Sequence, residues 1–310
     1  MNDKIKIGWV GLGKMGIPMS RNLMKAGYPV IAYDIINETF KGIEKEAKAF
    51  AESPEALAAE SDVIISIISD DAALKDVALG SKGTLHGARP GSIFVDMSTV
   101  SPILSSEVAA AAKNKGIMYL RGPVSGSTLF AEAGKLTILA SGPKAAFDQC
   151  LPLFKIMGEK IFYVGKGEEA RYLKLLLNMM VATTSIMTAE ALTFGELGGM
   201  DWSQMIDVIN NSAVAAPQIG FKAQILKDRD FTPAFTAAQM AKDLDIALNT
   251  GKAVNAPMPV TSMVRQFLGM MVAQGDGEMD FFGLVTLLEK MAGIKAPVNR
   301  QSTGAGDIFS

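Results

Sequence analysis

Cysteine and histidine are nearly missing from this chain: among 310 residues there is one of each, Cys150 and His86. A single cysteine excludes a disulfide framework and a cysteine-rich metal site, and it points to a reducing compartment. A lone histidine, in an expected loop between Leu85 and Gly87, has no second histidine or cysteine near it in sequence, so no metal centre or histidine triad is expected. An excess of charge of one sign is lacking too. Thirty Lys+Arg stand against 32 Asp+Glu, a formal net charge of -2, and no basic run exists to attract nucleic acid. Long apolar runs are also absent. The first strand is too short for a signal-peptide core. The least charged stretch, Leu175–Ala189, is shorter than the roughly 20 residues that span a bilayer and contains Asn178, Thr183, Thr184 and Ser185. The expectation is a cytoplasmic protein without nucleic-acid or membrane partners, although a matrix protein lacking its presequence would read the same way.

What the chain does have is core material, with 49% hydrophobic and 20% charged residues. At about 150 residues per domain this suggests one large or two ordinary domains. From Ile5 to about Val164, short apolar runs (IKIGWV, PVIAY, DVIISII, SIFVDM, IMYL, LTILA, IFYV) alternate with amphipathic stretches at Lys14–Ala26, Asn37–Glu46, Asp70–Leu79 and Ser101–Lys115. Strands separated by helices of this length imply crossover units, hence an α/β fold with a doubly wound, mostly parallel sheet. After Gly167 the strand-like runs stop. A helix over Glu168–Leu197 is expected, followed by further helices, with stop signals at Gly198-Gly199, Gly251 and Gly275 and N-caps at Asp201 and Asp280. The expected division is residues 1–165, an all-helical domain at 166–294, and a Gly/Ser/Pro-rich tail at 295–310. The first long helix is apolar over most of its surface, which predicts burial by other helices and by another subunit in a homodimer or homotetramer.

The segment GWVGLGKMGIPMSRNLMKAGYPVIAYD contains a strand, the pattern Gly11-x-Gly13-x-x-Gly16, a helix, and a second strand ending in Asp34. Gly11 permits the tight turn, Gly13 lets a pyrophosphate approach the backbone, Gly16 lets the helix pack closely, and the helix N-terminus offers N–H groups to phosphate. Leu12, Lys14 and Met15 complete the loop as cofactor contacts. Asp34 would accept bonds from the adenosine ribose hydroxyls and repel a 2′-phosphate, which favours NAD over NADP. The bland alternative is that Asp34 merely opens the following loop.

Five blocks occur in order: GLGKMGIPMSRNL, DMSTVSP at 96–102, GPVSGS at 122–127, KLLLNMM at 174–180 and KDLDIAL at 242–248. Together they resemble the β-hydroxyacid dehydrogenase family over about residues 5–291. The resemblance implies a Rossmann-type N-terminal domain, a helical C-terminal domain, an active site in a cleft between them, and reversible oxidation of the β-hydroxyl of a short hydroxy acid with hydride passing to nicotinamide. It carries the family's general acid/base lysine onto Lys174 and the asparagine four residues on onto Asn178. Residues four apart share a helix face, and a desolvated ammonium loses basicity from about 10.4, which suits proton exchange near neutrality. A lysine that snorkels from core to surface is the alternative.

The same resemblance assigns the substrate carboxylate to Ser125, Gly126 and Ser127, whose neighbouring N–H groups can form a concave anion site. It assigns cofactor contacts to Ile67, Ile68 and Thr99, with Ser98 beside them, and to Lys242; an ion pair of Lys242 with Asp245 is the alternative. Three departures stand out. Arg121 replaces a common Asp and is either a further substrate contact or the partner of a nearby acid. Ser127 replaces a glycine. Arg171 stands four residues after Gly167, where the family's lysine is usual, and is read either as a holder of an acidic group or as a solvent-facing charge. Alternatives to the hydroxy-acid reading are reduction of a related imine or bulkier semialdehyde, and a non-catalytic NAD-binding subunit.

Overall fold

The computed structural model describes residues 5–295, and the chain divides into two compact units between Leu175 and Leu176. In the first unit nine strands make one sheet: β1 Ile7–Val10, β2 Val30–Tyr33, β3 Ala49–Phe50, β4 Val63–Ser66, β5 Ile93–Asp96, β6 Met118–Arg121, β7 Val124–Ser125, β8 Leu136–Ser141 and β9 Gly158–Gly165. The strand order is β3-β2-β1-β4-β5-β6-β8-β7, with β9 also on β8. Strands β1 to β6 pair in parallel, β8 runs antiparallel to β6 and β7, and β9 is parallel to β8. This is the expected doubly wound, mostly parallel sheet. Its order reverses at β1, so the carboxyl ends of β1 and β4 form the switch point where such sheets bind ligands.

Seven helices, α1 Gly16–Lys25, α2 Pro54–Ala59, α3 Asp71–Leu79, α4 Thr84–Gly87, α5 Pro102–Asn114, α6 Thr128–Glu132 and α7 Lys144–Met157, belong to this unit. Alternate strand residues point to opposite faces. Trp9, Val63, Ile65, Ile93 and Val95 pack with Met19, Leu23 and Phe154, whereas Val10, Ile64 and Phe94 pack with Leu57, Leu74 and Val108. Burial on both faces explains why these strands read as continuous apolar runs. Cys150 lies inside the first of these clusters, where burial pushes its thiol up to about 12 and leaves it unreactive at neutral pH.

Two local expectations change. The helix expected over Asn37–Glu46 is a short 3-10 turn, Asn37–Gly42, and Gly42 passes so close to Ile17 that a Cβ would lie 2.8 Å from its Cδ1. His86 sits in the one-turn helix α4 rather than in a loop.

Helix α8, Glu169–Leu197, begins in the first unit and continues into the second, which adds α9 Trp202–Asn210, α10 Pro217–Asp228, α11 Ala237–Ala253, α12 Pro259–Ala273 and α13 Leu284–Met291. The unit break therefore falls beyond the change of sequence texture at 165–166, because the first turns of α8 are bonded to the sheet. The expected tail lies, apart from Lys295, outside the described residues. By length and composition α8 could cross a bilayer, although its uncharged run is shorter. Its Ala182, Ile186, Ala189 and Leu192 are instead packed in the core of the second unit. Gly199 and Gly275 follow helix ends with φ of +79° and +85°, and Asp201 caps α9 through Gln204 N. Asp280 caps a 3-10 turn at Phe281–Gly283. Gly251 is a correction: it lies inside α11, where a Cβ would meet Met258 Sδ at 2.0 Å, so it is a packing glycine and not a stop.

One partly buried cluster in the second unit couples stability to pH. Arg229 Nη1 donates to both oxygens of Glu289, at 2.8 and 3.0 Å, Nη2 lies 3.6 Å from Glu196, and the guanidinium stacks 3.9 Å over the Trp202 ring. Burial pushes the Glu289 carboxyl up to about 7; Arg229 opposes the shift and Glu196 adds to it. The folded protein then holds this proton more tightly than the unfolded chain. Its contribution to stability is complete below about 4.5 and is lost as the pH rises to about 7. Glu289→Gln mimics the protonated side chain, so its melting temperature is expected to rise relative to the native protein between about pH 5 and pH 8. Melting curves that stay parallel over that range would remove this assignment.

Candidate active site

The glycine loop follows β1 at the switch point. Gly11 has φ +98°, and its N–H donates to Tyr33 O at 2.9 Å. A Cβ there would strike Ile67 O at 2.2 Å, and one at Gly16 would strike Gly11 O at 2.0 Å. Trp9 Nε1 donates to that same Gly11 oxygen at 2.8 Å. Nothing lies within 4 Å of a Cβ built on Gly13. The protein's own packing thus demands Gly11 and Gly16 but not Gly13, whose bare Cα faces open space. Helix α1 follows Met15 with no side-chain cap and no acid in its first turn, which leaves its N-terminal dipole uncompensated. Lys14 is exposed, Met15 is half-buried, and Leu12 is buried in the core.

Asp34 at the end of β2 accepts from Leu12 N at 2.6 Å and from Ile36 N at 2.8 Å. It thereby ties the glycine loop to the second strand, and it also opens the next loop, as the bland alternative has it. Each oxygen keeps a lone pair for a further donor.

At the ends of β4 and β5 a buried polar network joins the loops. Asp96 Oδ1 accepts from Ser66 Oγ at 2.7 Å and Ser98 Oγ at 2.6 Å, and Ser98 Oγ accepts from Ile68 N at 2.9 Å. The other oxygen, Oδ2, is ion-paired with Arg171 Nη2. Arg171 is 1% exposed, so it does not face solvent, and the acidic group it holds is the protein's own Asp96. Thr99 and Ile67 are half-buried beside this network.

In the 122–127 loop Ser125 ends β7, Gly126 takes φ +136°, and Ser127 precedes α6 without a capping bond. A Cβ on Gly126 would lie 2.8 Å from Leu136 Cδ2, so the turn is shaped by packing as well as by φ. Arg121 departs from the expected substrate contact. It is buried, ion-paired with Glu168 and stacked 4.8 Å from the Tyr119 ring centroid. Its charge is cancelled inside the protein by Glu168, as the nearby-acid alternative has it.

Lys174 is half-buried on α8, and Asn178 lies one turn on along the same helix, 7% exposed. Asn178 Nδ2 donates to Asp243 Oδ2 at 2.5 Å, and Lys242 Nζ lies 2.8 Å from Asp243 Oδ1 in an ion pair without directed hydrogen-bond geometry. Lys242 therefore pairs with its immediate neighbour. Asp245, the alternative partner, is held by Arg265 at 2.8 and 2.9 Å. Asp96 and Asp243 were not singled out from the sequence. Each lies in a motif already noted, DMSTVSP and KDLDIAL, but an acid beside a more conspicuous residue gives no sign that it is buried.

Residues 6–165 match the family described as the NAD binding domain of 6-phosphogluconate dehydrogenase, and residues 167–288 match the NAD-binding region of NADP-dependent 3-hydroxyisobutyrate dehydrogenase. The chain is 33% identical to 2-(hydroxymethyl)glutarate dehydrogenase of Eubacterium barkeri, over 95% of this chain and 98% of that protein. It belongs to the β-hydroxyacid dehydrogenase family. Mouse mitochondrial 3-hydroxyisobutyrate dehydrogenase is 30% identical over 94% of this chain and 89% of its own. The structure of Mycobacterium tuberculosis 3-hydroxyisobutyrate dehydrogenase with L-serine superposes with a TM-score of 0.84, at 28% identity, covering 92% of this chain and 99% of that one. As a β-hydroxyacid dehydrogenase the protein is an NAD(P)-dependent oxidoreductase acting on CH–OH donors.

The glycine loop separates a packing role from a binding role. Gly16→Ala is expected to lower the melting temperature and weaken NADH binding together, because its Cβ meets backbone. Gly13→Ala is expected to leave the melting temperature within about 2 °C, as for a surface substitution, while weakening NADH at least about tenfold by fluorescence titration, a cost of about 1.4 kcal/mol. Equal NADH affinity for Gly13→Ala and the native protein would mean that no ligand approaches this Cα.

Proposed function

We propose that this dehydrogenase interconverts a short-chain β-hydroxy acid and its semialdehyde, with NAD as the preferred dinucleotide and Lys174 as the general acid/base. The observation that carries this reading is the pairing of Lys174 with Asn178 on one helix, with the Asn178 amide fixed by buried Asp243. The open space at Gly13 and the uncapped start of α1 fit a dinucleotide pyrophosphate. When bound, NAD supplies the nicotinamide carbon that takes up hydride.

The remaining work belongs to the chain. The N–H groups around Gly13, Lys14 and Met15 would hold phosphate, and Asp34 would accept from the adenosine ribose and repel a 2′-phosphate. Ile67, Ile68, Ser98 and Thr99 would line the nicotinamide side, with Lys242 a further cofactor contact. Ser125, Gly126 and Ser127 would bind the substrate carboxylate through N–H and hydroxyl groups. In oxidation the β-carbon loses a hydride and the hydroxyl loses a proton to Lys174 Nζ; in reduction Lys174 returns that proton to the carbonyl oxygen. Asn178, its Nδ2 committed to Asp243, would orient the ammonium or the substrate hydroxyl through Oδ1.

General acid/base catalysis contributes about 10² to 10⁴ in rate, so Lys174→Ala is expected to lose at least about a hundredfold in kcat while NADH binding is kept. Initial rates are to be taken with 3-hydroxyisobutyrate, glycerate, serine, 3-hydroxypropionate, 4-hydroxybutyrate, threonate and 2-(hydroxymethyl)glutarate, each with NAD and NADP. Undiminished turnover in Lys174→Ala would remove the lysine's role, and silence across the panel despite NADH binding would remove the activity.

We also propose that the chain assembles as a homodimer or homotetramer through α8. Tyr172, Leu176, Met180, Met187 and Phe194 recur at intervals of four and seven along it and are all exposed, an apolar stripe of the kind that marks an interface. Met187→Glu with Phe194→Glu is expected to lower the mass seen by light scattering to that of one chain. An unchanged mass would exclude α8 as the interface.

A further inference from the structure

We infer that Arg171 is a positioning residue for hydride transfer: locked to Asp96, it sets the place of Lys174 relative to the loops that follow β4 and β5. The inference rests on the acid/base reading of Lys174 and deepens it.

The guanidinium makes bonds to four different groups. Nη2 is paired with Asp96 Oδ2 and donates to Tyr119 OH at 3.0 Å; Nη1 donates to Ser98 O at 2.7 Å; Nε donates to Ser105 Oγ at 3.2 Å. These acceptors come from the end of β5, the loop after it, α5 and β6. All of them, and Arg171 itself, are buried. A planar fork bonded in several directions at once has no freedom to turn or slide, which a lysine or an apolar side chain at the same position would retain.

The two sides of this fork are the two sides of the proposed chemistry. On one side Asp96 also holds Ser66 and Ser98, and Ser98 Oγ in turn holds Ile68 N, so the pair fixes the Ile67–Ile68 and Ser98–Thr99 segments together. On the other side lies α8, a rigid element on which Lys174 stands three residues after Arg171, about 4.5 Å further along the axis. Arg171 is therefore the peg by which the helix carrying the proton donor is fixed to the cofactor loops.

Stability alone does not explain the choice. Removing an arginine and an aspartate from water is costly, and apolar residues of similar volume commonly stabilise a core as well or better. What the ion pair adds is direction, and direction matters to catalysis because a misplacement of about 1 Å can cost about a hundredfold in rate.

The test compares Arg171→Met/Asp96→Asn, which removes both charges and keeps the acceptor for Ser66 and Ser98, with Arg171→Lys and with Lys174→Ala. Melting temperature, NADH affinity, KM and kcat are measured separately, together with the isotope effect on kcat for substrate deuterated at the β-carbon. The double variant is expected to fold, to bind NADH within about threefold of native, and to lose about 10- to 100-fold in kcat with a larger isotope effect, since the slowed step is the chemistry. Arg171→Lys is expected to lose kcat in the same direction with little change in KM. If the double variant fails to fold, Arg171→Lys decides. A folded Arg171 variant with kcat and isotope effect at native values, while Lys174→Ala is inactive, would overturn the positioning role and leave the acid/base reading intact. Native turnover in Lys174→Ala would overturn both.

Discussion

The ion pair between Asp96 and Arg171 ties the end of the parallel sheet to the helix that leaves it. Both groups are withdrawn from water, so each depends on the other and on the serines and tyrosine around them to complete their hydrogen bonds. Burial pushes the Tyr119 hydroxyl up to about 12, so at neutral pH it is a phenol that can accept from Arg171 and adds no second negative charge. One carboxylate thus organises two loops and the first turn of α8, which belongs to the first unit.

Asp243 plays a comparable part in the second unit. It is almost fully buried and is met by an amide from α8 and by the ammonium beside it in α11. In both units a charge that could not stand alone is used to give a polar side chain one orientation. The proposed chemistry needs this, since a lysine with four rotatable carbons must meet a substrate hydroxyl along a narrow line. The glycine loop solves a related problem by subtraction: Gly11 and Gly16 are small because backbone lies against them, and Gly13 is small where no protein atom does.

Much of this was legible in the order of residues. Alternation of apolar runs with amphipathic stretches identified the strands β1, β2, β4, β5, β6, β8 and β9, most plainly β1, β4 and β5, because a strand buried on both faces has no polar side to show. The caps at Asp201 and Asp280 and the ends at Gly199 and Gly275 were legible because they are local backbone chemistry. The short 3-10 turn after Asn37 was not, and neither was the approach of Ile17, from a helix more than 20 residues earlier, to Gly42. Gly251 misled differently: its smallness serves Met258, seven residues on, and does not end its helix.

The candidate site divides along the same line. Lys174 and Asn178 share a face because the helix period requires it, and the three glycines announce their loop through spacing alone; these the amino-acid order determines, as their geometry is set by bonds within a few residues. The fates of Arg121, Arg171, Asp96 and Asp243 were decided only by tertiary structure. A charged side chain has the same appearance in a sequence whether it faces water or a counter-ion, and Arg171 meets its partner 75 residues away. Which of the two holds depends on what the folded chain brings within about 3 Å, where desolvation makes pairing obligatory.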